Sequence, residues 1–177
     1  PELLETISDI PGVQRIRYTS PHPQDMDEKL LEVMANNNNI CNYIHLPLQA
    51  GSSRILKRMN RTYNQIEYCN LVDKIRNYLP KCSISTDIIV GFPGETELEF
   101  EETLHVMKEV NFSNAYMFKY SSRPGTKAAE YSDQIDEFVK QSRLEKVIEL
   151  QKALTLKVNQ KYIGEVAKVL VEKESKK

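Results

Sequence analysis

Apolar positions along the chain switch repeatedly between helical and strand-like spacing. Val13–Thr19 has strand composition, and a Pro-His-Pro turn follows at Pro21–Pro23. Asp27–Ala35 then sets Leu30, Leu31 and Met34 on one helical face, which the polar turn Asn36–Asn39 ends. Tyr43–Leu48 is a second short apolar run. Gly51 and Ser52 open a helix carrying Ile55, Leu56 and Met59. Asn64 caps another with Tyr68, Leu71, Val72, Ile75 and Leu79, and Pro80 stops it. Ser83–Val90 is the strongest strand; its Ile88-Ile89-Val90 end lacks alternation and predicts a parallel strand buried on both faces. After Gly91-Phe92-Pro93-Gly94, Thr96 and Glu99 form a capping box for a helix with core face Phe100, Leu104 and Met107. Ala115–Tyr120 is a fourth strand. A long helix spans about Asp136–Ile163, Gly164 terminates it, and Glu165–Glu172 reads as one more strand before a charged tail.

Repeated strand–helix alternation predicts parallel strands with crossover helices, in part of a barrel or in a small doubly wound sheet. Both place ligands at the carboxyl ends of the strands. The polar segments fall there: Ser20-Pro21-His22, Gln49-Ala50-Gly51-Ser52, Gly91–Thr96 and Ser121–Thr126.

Composition changes this picture little. With 177 residues, 40% apolar and 28% charged, the chain suits one soluble domain. No apolar run approaches the roughly 18 residues that cross a bilayer. The formal net charge of −1 lends no electrostatic support to nucleic-acid binding by this piece. Cys41, Cys69 and Cys82 are too far apart for a CxxC-type ligand set and odd in number. They read as reduced thiols, which predicts a cytoplasmic protein.

Four ordered landmarks add a family. They are His45–Ser52, Met59-Asn60-Arg61, Thr86–Thr96 and Arg123-Pro124-Gly125-Thr126. Together they resemble the radical S-adenosylmethionine (SAM) methylthiotransferases from about Arg15 to the C-terminus. Thr19–Pro23 and Ser122–Thr126 are similar to the MiaB-type branch, which modifies isopentenylated adenosine beside the tRNA anticodon. The branch acting on threonylcarbamoyl-adenosine is the alternative. The resemblance implies an α/β fold, a partial parallel barrel with strands three to six of six. Residues 1–163 would hold the later barrel and its long helix. Residues 164–177 would be a linker and first strand of a tRNA-gripping β-barrel. The family's two cluster-binding cysteine sets have no counterpart here, so a truncated piece holding neither [4Fe-4S] cluster is expected.

The implied chemistry starts from a reduced cluster that donates an electron to SAM. The resulting 5′-deoxyadenosyl radical takes hydrogen from C2 of the adenine, and a second cluster delivers the methylthio group. By resemblance, Gln49 and Asp87 would bond the SAM ribose, and Val90 and Phe92 would pack on its adenine. Arg61, twelve residues after Gln49, would fork the methionine carboxylate. His22 and Arg123 would meet the tRNA substrate. An electron donor such as flavodoxin is the expected partner, and an open barrel edge predicts self-association. On the residues alone, Asp87 in an apolar strand needs a diol or a cation as partner. His45 reads either as an acid–base group or as a hydrogen-bonded core member.

Two rivals stand beside this reading. A nucleotide-binding module predicts a Gly-rich fingerprint after the first strand, where Thr19-Ser20-Pro21 stands instead. An acid–base barrel enzyme using His45 and Asp87 predicts a closed barrel, which four strands cannot make.

Overall fold

The computed structural model describes residues 1–19, 22–167, 169–171 and 173–174. Strands β1 (Tyr43–His45), β2 (Ser83–Val90) and β3 (Asn114–Lys119) form a parallel sheet in that order. Around it lie α1 (Glu2–Ser8), α2 (Glu28–Asn36), α3 (Ser53–Arg58), α4 (Gln65–Tyr78), α5 (Glu97–Val110), α6 (Lys127–Glu130) and α7 (Glu137–Gln160). α3 and α4 connect β1 to β2, and α5 connects β2 to β3, as parallel pairing requires. These are the parallel strands and crossover helices that the alternation predicts, in the α/β partial barrel that the resemblance implies.

One sheet face is the core. Ile44, Ile84, Ile88, Val90 and Ala115 are buried there, in one cluster with Leu56, Tyr68, Val72, Ile75, Phe100, Leu104 and Met107 from the helices. The other face is open: Tyr116 and Phe118 are each 52% exposed. Ile89 is therefore only half-buried, unlike Ile88 and Val90, and the double burial expected for this strand end is confined to one side. Both predicted helix starts form as full capping boxes, Asn64 with Glu67 and Thr96 with Glu99. Each satisfies amides that a helix terminus leaves free.

Two expected strands do not form. Over Val13–Thr19 the described chain keeps a single parallel bridge, Ile16 to Ile40, through Ile16 N–H to Asn39 O and Cys41 N–H to Ile16 O. Its neighbour there is an asparagine turn rather than an extended strand, so the ladder has nothing to continue on. Ser20 and Pro21 lie outside the described residues. Over Glu165–Glu172, Lys168 and Glu172 also lie outside them; the remainder carries no strand, and Val166, Val169, Leu170 and Val171 are exposed. No neighbouring strand is described there, and a lone strand cannot satisfy its own backbone.

The predicted strand Tyr43–Leu48 is interrupted at Pro47, which has no N–H for the ladder. Leu46 N–H still donates to Ser85 O. Leu48 N–H turns to the Thr86 hydroxyl at 2.8 Å, and pairing resumes when Gln49 N–H donates to Asp87 O. The carbonyls freed by this break are taken up by two tyrosines. Tyr68 OH donates to Leu46 O at 2.7 Å, and Tyr63 OH lies 2.9 Å from Pro47 O and 3.2 Å from Leu48 O. The irregularity brings Gln49 out at φ 70°, a left-handed conformation that non-glycine residues seldom hold.

A buried ion pair fixes the loop after β2. Arg143 of α7 meets Glu95 at 2.8 Å, with side chains 6% and 1% exposed. Glu95 also accepts Gly91 N–H at 2.6 Å, and Arg143 donates to Glu95 O and reaches Glu97. Burial pushes the Glu95 carboxyl above the usual carboxylate range; the Gly91 amide and Arg143 hold it down in part.

Candidate cofactor-binding face

β2 turns Asp87 and Ile89 to the open face, as the two-residue strand period requires once Ile88 and Val90 face the helices. Asp87 stands level with Tyr116 of β3. Its carboxylate Oδ2 lies 3.3 Å from His45 Nε2. Gln49 sits beside it across the sheet: Gln49 N–H donates to Asp87 O, and Ile89 N–H donates to Gln49 O.

Arg61 reaches the same neighbourhood from the end of α3. Asn60 at φ 59° ends the helix, and Arg61 N–H donates back to Leu56 O. Its Nε is buried without a hydrogen-bond partner. Tyr63 reports on the convergence. Burial above all pushes its hydroxyl up to about 12; the nearby Arg61 charge lowers it, and that of Asp87 raises it. Both charges therefore act on the hydroxyl that is bonded to the two carbonyls preceding Gln49. His22 joins this group. It caps the short turn Pro23–Asp25 through Nδ1, and its ring meets Tyr63 edge-on at 5.7 Å.

Tyr63 touches His22 and bonds the two carbonyls before Gln49, and the charges of Arg61 and Asp87 act on its hydroxyl; the remaining candidates lie elsewhere. Val90 is fully buried on the helix side, which leaves only its backbone to a ligand. Phe92 is buried in edge-to-face contact with Tyr120 at 5.0 Å and Tyr131 at 6.4 Å. Arg123 is exposed in the loop after β3, and its carbonyl accepts from Thr126. A cavity of about 230 Å³ opens beside Tyr63 and Gln24, and one of about 300 Å³ lies by Asn37, Asn42 and Lys81. Neither is lined by Gln49, Arg61 or Asp87; of the three, Asp87 is the one that strand period turns to the open face.

Helical spacing places Tyr68 only on a core face and does not reach Tyr63; Pro47 inside a strand pattern, which strands carbonyls, is the signal for both hydroxyls. Arg58 bridges both oxygens of Asp133 at 2.8 and 2.9 Å and stacks on Tyr131 at 4.4 Å. Asp133 O in turn accepts Gly94 N–H, so α3, the Gly91–Thr96 loop and the segment after α6 are tied together.

The donor set suits a nucleoside bearing a carboxylate. Arg61 has an unpaired buried nitrogen, the one recorded contact of the Asp87 side chain leaves its second oxygen uncommitted, and Gln49 is a buried amide whose backbone pairs with Asp87. SAM has both groups, and these residues fit it. An iron–sulfur cluster has no such fit among the described residues. Cys41, Cys69 and Cys82 are free and separate, and no three metal-ligating side chains converge among the described residues. Burial pushes the Cys82 thiol up to about 12, which leaves it unreactive. Among the described residues no helix is long and apolar enough to cross a membrane.

Parallel strands with crossover helices, in part of a barrel, are the architecture of an enzyme whose site lies at the carboxyl ends of its strands. Residues 1–107 match the Radical SAM superfamily, and the chain belongs to it. The tRNA-2-methylthio-N(6)-dimethylallyladenosine synthase of Acetivibrio thermocellus is 47% identical over 175 residues, 99% of this chain and 36% of the relative. That of Carboxydothermus hydrogenoformans is 49% identical over 175 residues, 99% of this chain and 40% of the relative. The chain thus spans about two fifths of the length of these relatives. Coproporphyrinogen III oxidase (HemN) from Escherichia coli, a radical SAM enzyme, superposes with a TM-score of 0.62 over 75% of this chain and 31% of its own, at 20% identity. That likeness bears on the fold alone.

Proposed function

We propose that residues 1–163 are the later barrel of a tRNA methylthiotransferase, and that 164–177 lead into a tRNA-gripping domain. The whole protein adds a methylthio group to C2 of N6-isopentenyladenosine beside the anticodon. The observation that carries this is the end-to-end identity of 47–49% with enzymes named for that product. When bound, SAM supplies the hydrogen-abstracting radical, on reduction by a cluster whose ligands come from outside these 177 residues. The chain's own residues bind and orient it. Asp87 accepts two ribose hydroxyls, Gln49 bonds one of them, and Arg61 forks the carboxylate. The Val90 backbone and Phe92 border the adenine, and His22 and Arg123 meet the tRNA. The half-exposed Tyr116 and Phe118 support self-association of this piece when it stands alone. The same reading implies a cytoplasmic protein served by a flavodoxin-class electron donor.

The test uses the whole protein, reconstituted anaerobically, with SAM affinity and deoxyadenosine yield as readouts. Asp87→Asn and Arg61→Lys are each expected to weaken SAM binding by about 1–3 kcal/mol, the size of a charged hydrogen bond. Affinities at the wild-type value for both overturn the site. A tRNA lacking the isopentenyl group should yield no methylthio product; efficient modification of it overturns the substrate.

A further inference from the structure

The open face carries a row of polar side chains below Asp87. Tyr43 OH lies 2.6 Å from Ser85 Oγ, and Ser85 Oγ lies 2.8 Å from His45 Nδ1. His45 Nε2 faces Asp87 Oδ2 at 3.3 Å. Parallel register sets this up: His45 pairs with Ser85, Tyr43 with Ser83, and Asp87 follows Ser85 on the same face. Tyr116, level with Asp87, meets the His45 ring edge-on at 5.7 Å and walls the other side. Arg17 stacks on Tyr43 at 4.4 Å at the foot of the row.

For a neutral imidazole, one proton arrangement satisfies every member. If Nδ1 carried the proton and donated to Ser85, the lone pair of Nε2 would face the Asp87 carboxylate. If Tyr43 donates to Ser85 and Ser85 to Nδ1, the Nε2–H points at Asp87. The second arrangement is attractive at each link. Ser85 is fully buried, so no substrate reaches its hydroxyl, and the row is not a nucleophile with its base despite containing Ser, His and Asp.

We infer that His45 is a positioning residue, held through Ser85 and Tyr43, that engages one oxygen of Asp87 and leaves the other aimed at the open face. The inference rests on the reading of Asp87 as the ribose-binding carboxylate. A carboxylate on a two-torsion side chain has no fixed orientation of its own. The imidazole supplies one, so the diol meets an acceptor that is already in place.

The experiment is a double-mutant cycle on SAM affinity in the reconstituted whole protein, by calorimetric titration. His45→Ala is expected to weaken SAM about tenfold in the wild-type background and less than twofold when Asp87→Asn is already present. His45→Gln, whose amide N–H can occupy the place of Nε2, should recover most of the loss. Ser85→Ala and Tyr43→Phe, which each remove one hydroxyl, should weaken SAM about two- to threefold while the thermal midpoint confirms a folded protein. An unchanged affinity in His45→Ala beside a weakened Asp87→Asn overturns the positioning role and leaves the ribose reading standing. Effects of the two substitutions that multiply also overturn it, because His45 would then act independently of Asp87. An unchanged affinity in Asp87→Asn overturns the ribose reading, and the positioning role with it.

Discussion

Replacing Arg143 by methionine should unfold the site from behind. The guanidinium is 6% exposed and its partner Glu95 1%, so removing it leaves a carboxyl group in an environment that water does not enter. Arg143→Met keeps an unbranched apolar stem but is shorter, so it also gives up the place over Phe100, which the guanidinium now covers at 5.3 Å. What it removes is the 2.8 Å ion pair, the 3.0 Å bond to Glu95 O and the 3.1 Å bond to Glu97. Breaking one side of a buried pair costs about 3–5 kcal/mol. For a chain of this size each kcal/mol lowers the thermal midpoint by about 2–4 °C, so a fall on the order of 10 °C is expected. The variant also carries a pH signature. The folded-state pKa of Glu95 is already raised, so its ionisation opposes folding. That cost is absent below the unfolded pKa and grows as pH rises toward the folded one. Without Arg143 the folded value rises further. Melting curves of Arg143→Met should therefore converge on wild type toward pH 4 and diverge toward pH 8. A midpoint within about 2 °C of wild type at neutral pH, or a deficit independent of pH, would refute the argument.

Two further outcomes follow from local geometry. Gly51→Ala sets a Cβ 2.6 Å from Glu102 O and Thr103 N, and closer still to Thr103 Cα; α5 must move, at a cost of about 1–3 kcal/mol. Chemical denaturation should show that loss, and an unaltered midpoint would mean the approach is looser than described. Glu99 behaves oppositely to Glu95: Arg54 foremost, with Thr96 and Ser52, holds its carboxyl down to about 2. Its folded-state pKa is depressed, so the stabilisation is complete above about 4.5 and is lost as pH falls toward about 2. Because Arg54 is half exposed, solvent screening reduces the benefit to about 1–2 kcal/mol. Glu99→Gln should therefore be less stable than wild type at pH 7 and converge with it in acid; parallel acid-unfolding curves would exclude this role.

Local rules were enough for much of the fold. Asn64 with Glu67 and Thr96 with Glu99 specify their helix starts through groups three residues apart, and both boxes form. Alternation of short apolar runs with helical faces sufficed for parallel pairing, because a crossover helix is the connection such strands use. The direction of Asp87 also follows from its place two residues from Ile89 and one from Ile88. Strands at the two ends were misread because strand composition is not a strand until a neighbour accepts its backbone. Ile16 found one residue to pair with, and the described part of Glu165–Glu172 none.

What only the tertiary structure decided is which distant groups share an environment. Nothing near Glu95 in the chain announces Arg143, 48 residues on. Nor could spacing show that Tyr63 and Tyr68 would take the carbonyls released by Pro47, since that need arises only once β1 lies against β2. His45 reads alone as either a reactive group or a core histidine. Its contacts with Ser85 and Asp87 come from a register spanning 40 residues of chain. Capping and periodicity act over three or four residues and are written in order along the chain. Charge pairing and backbone satisfaction act through space, and they become defined only when packing brings the partners together.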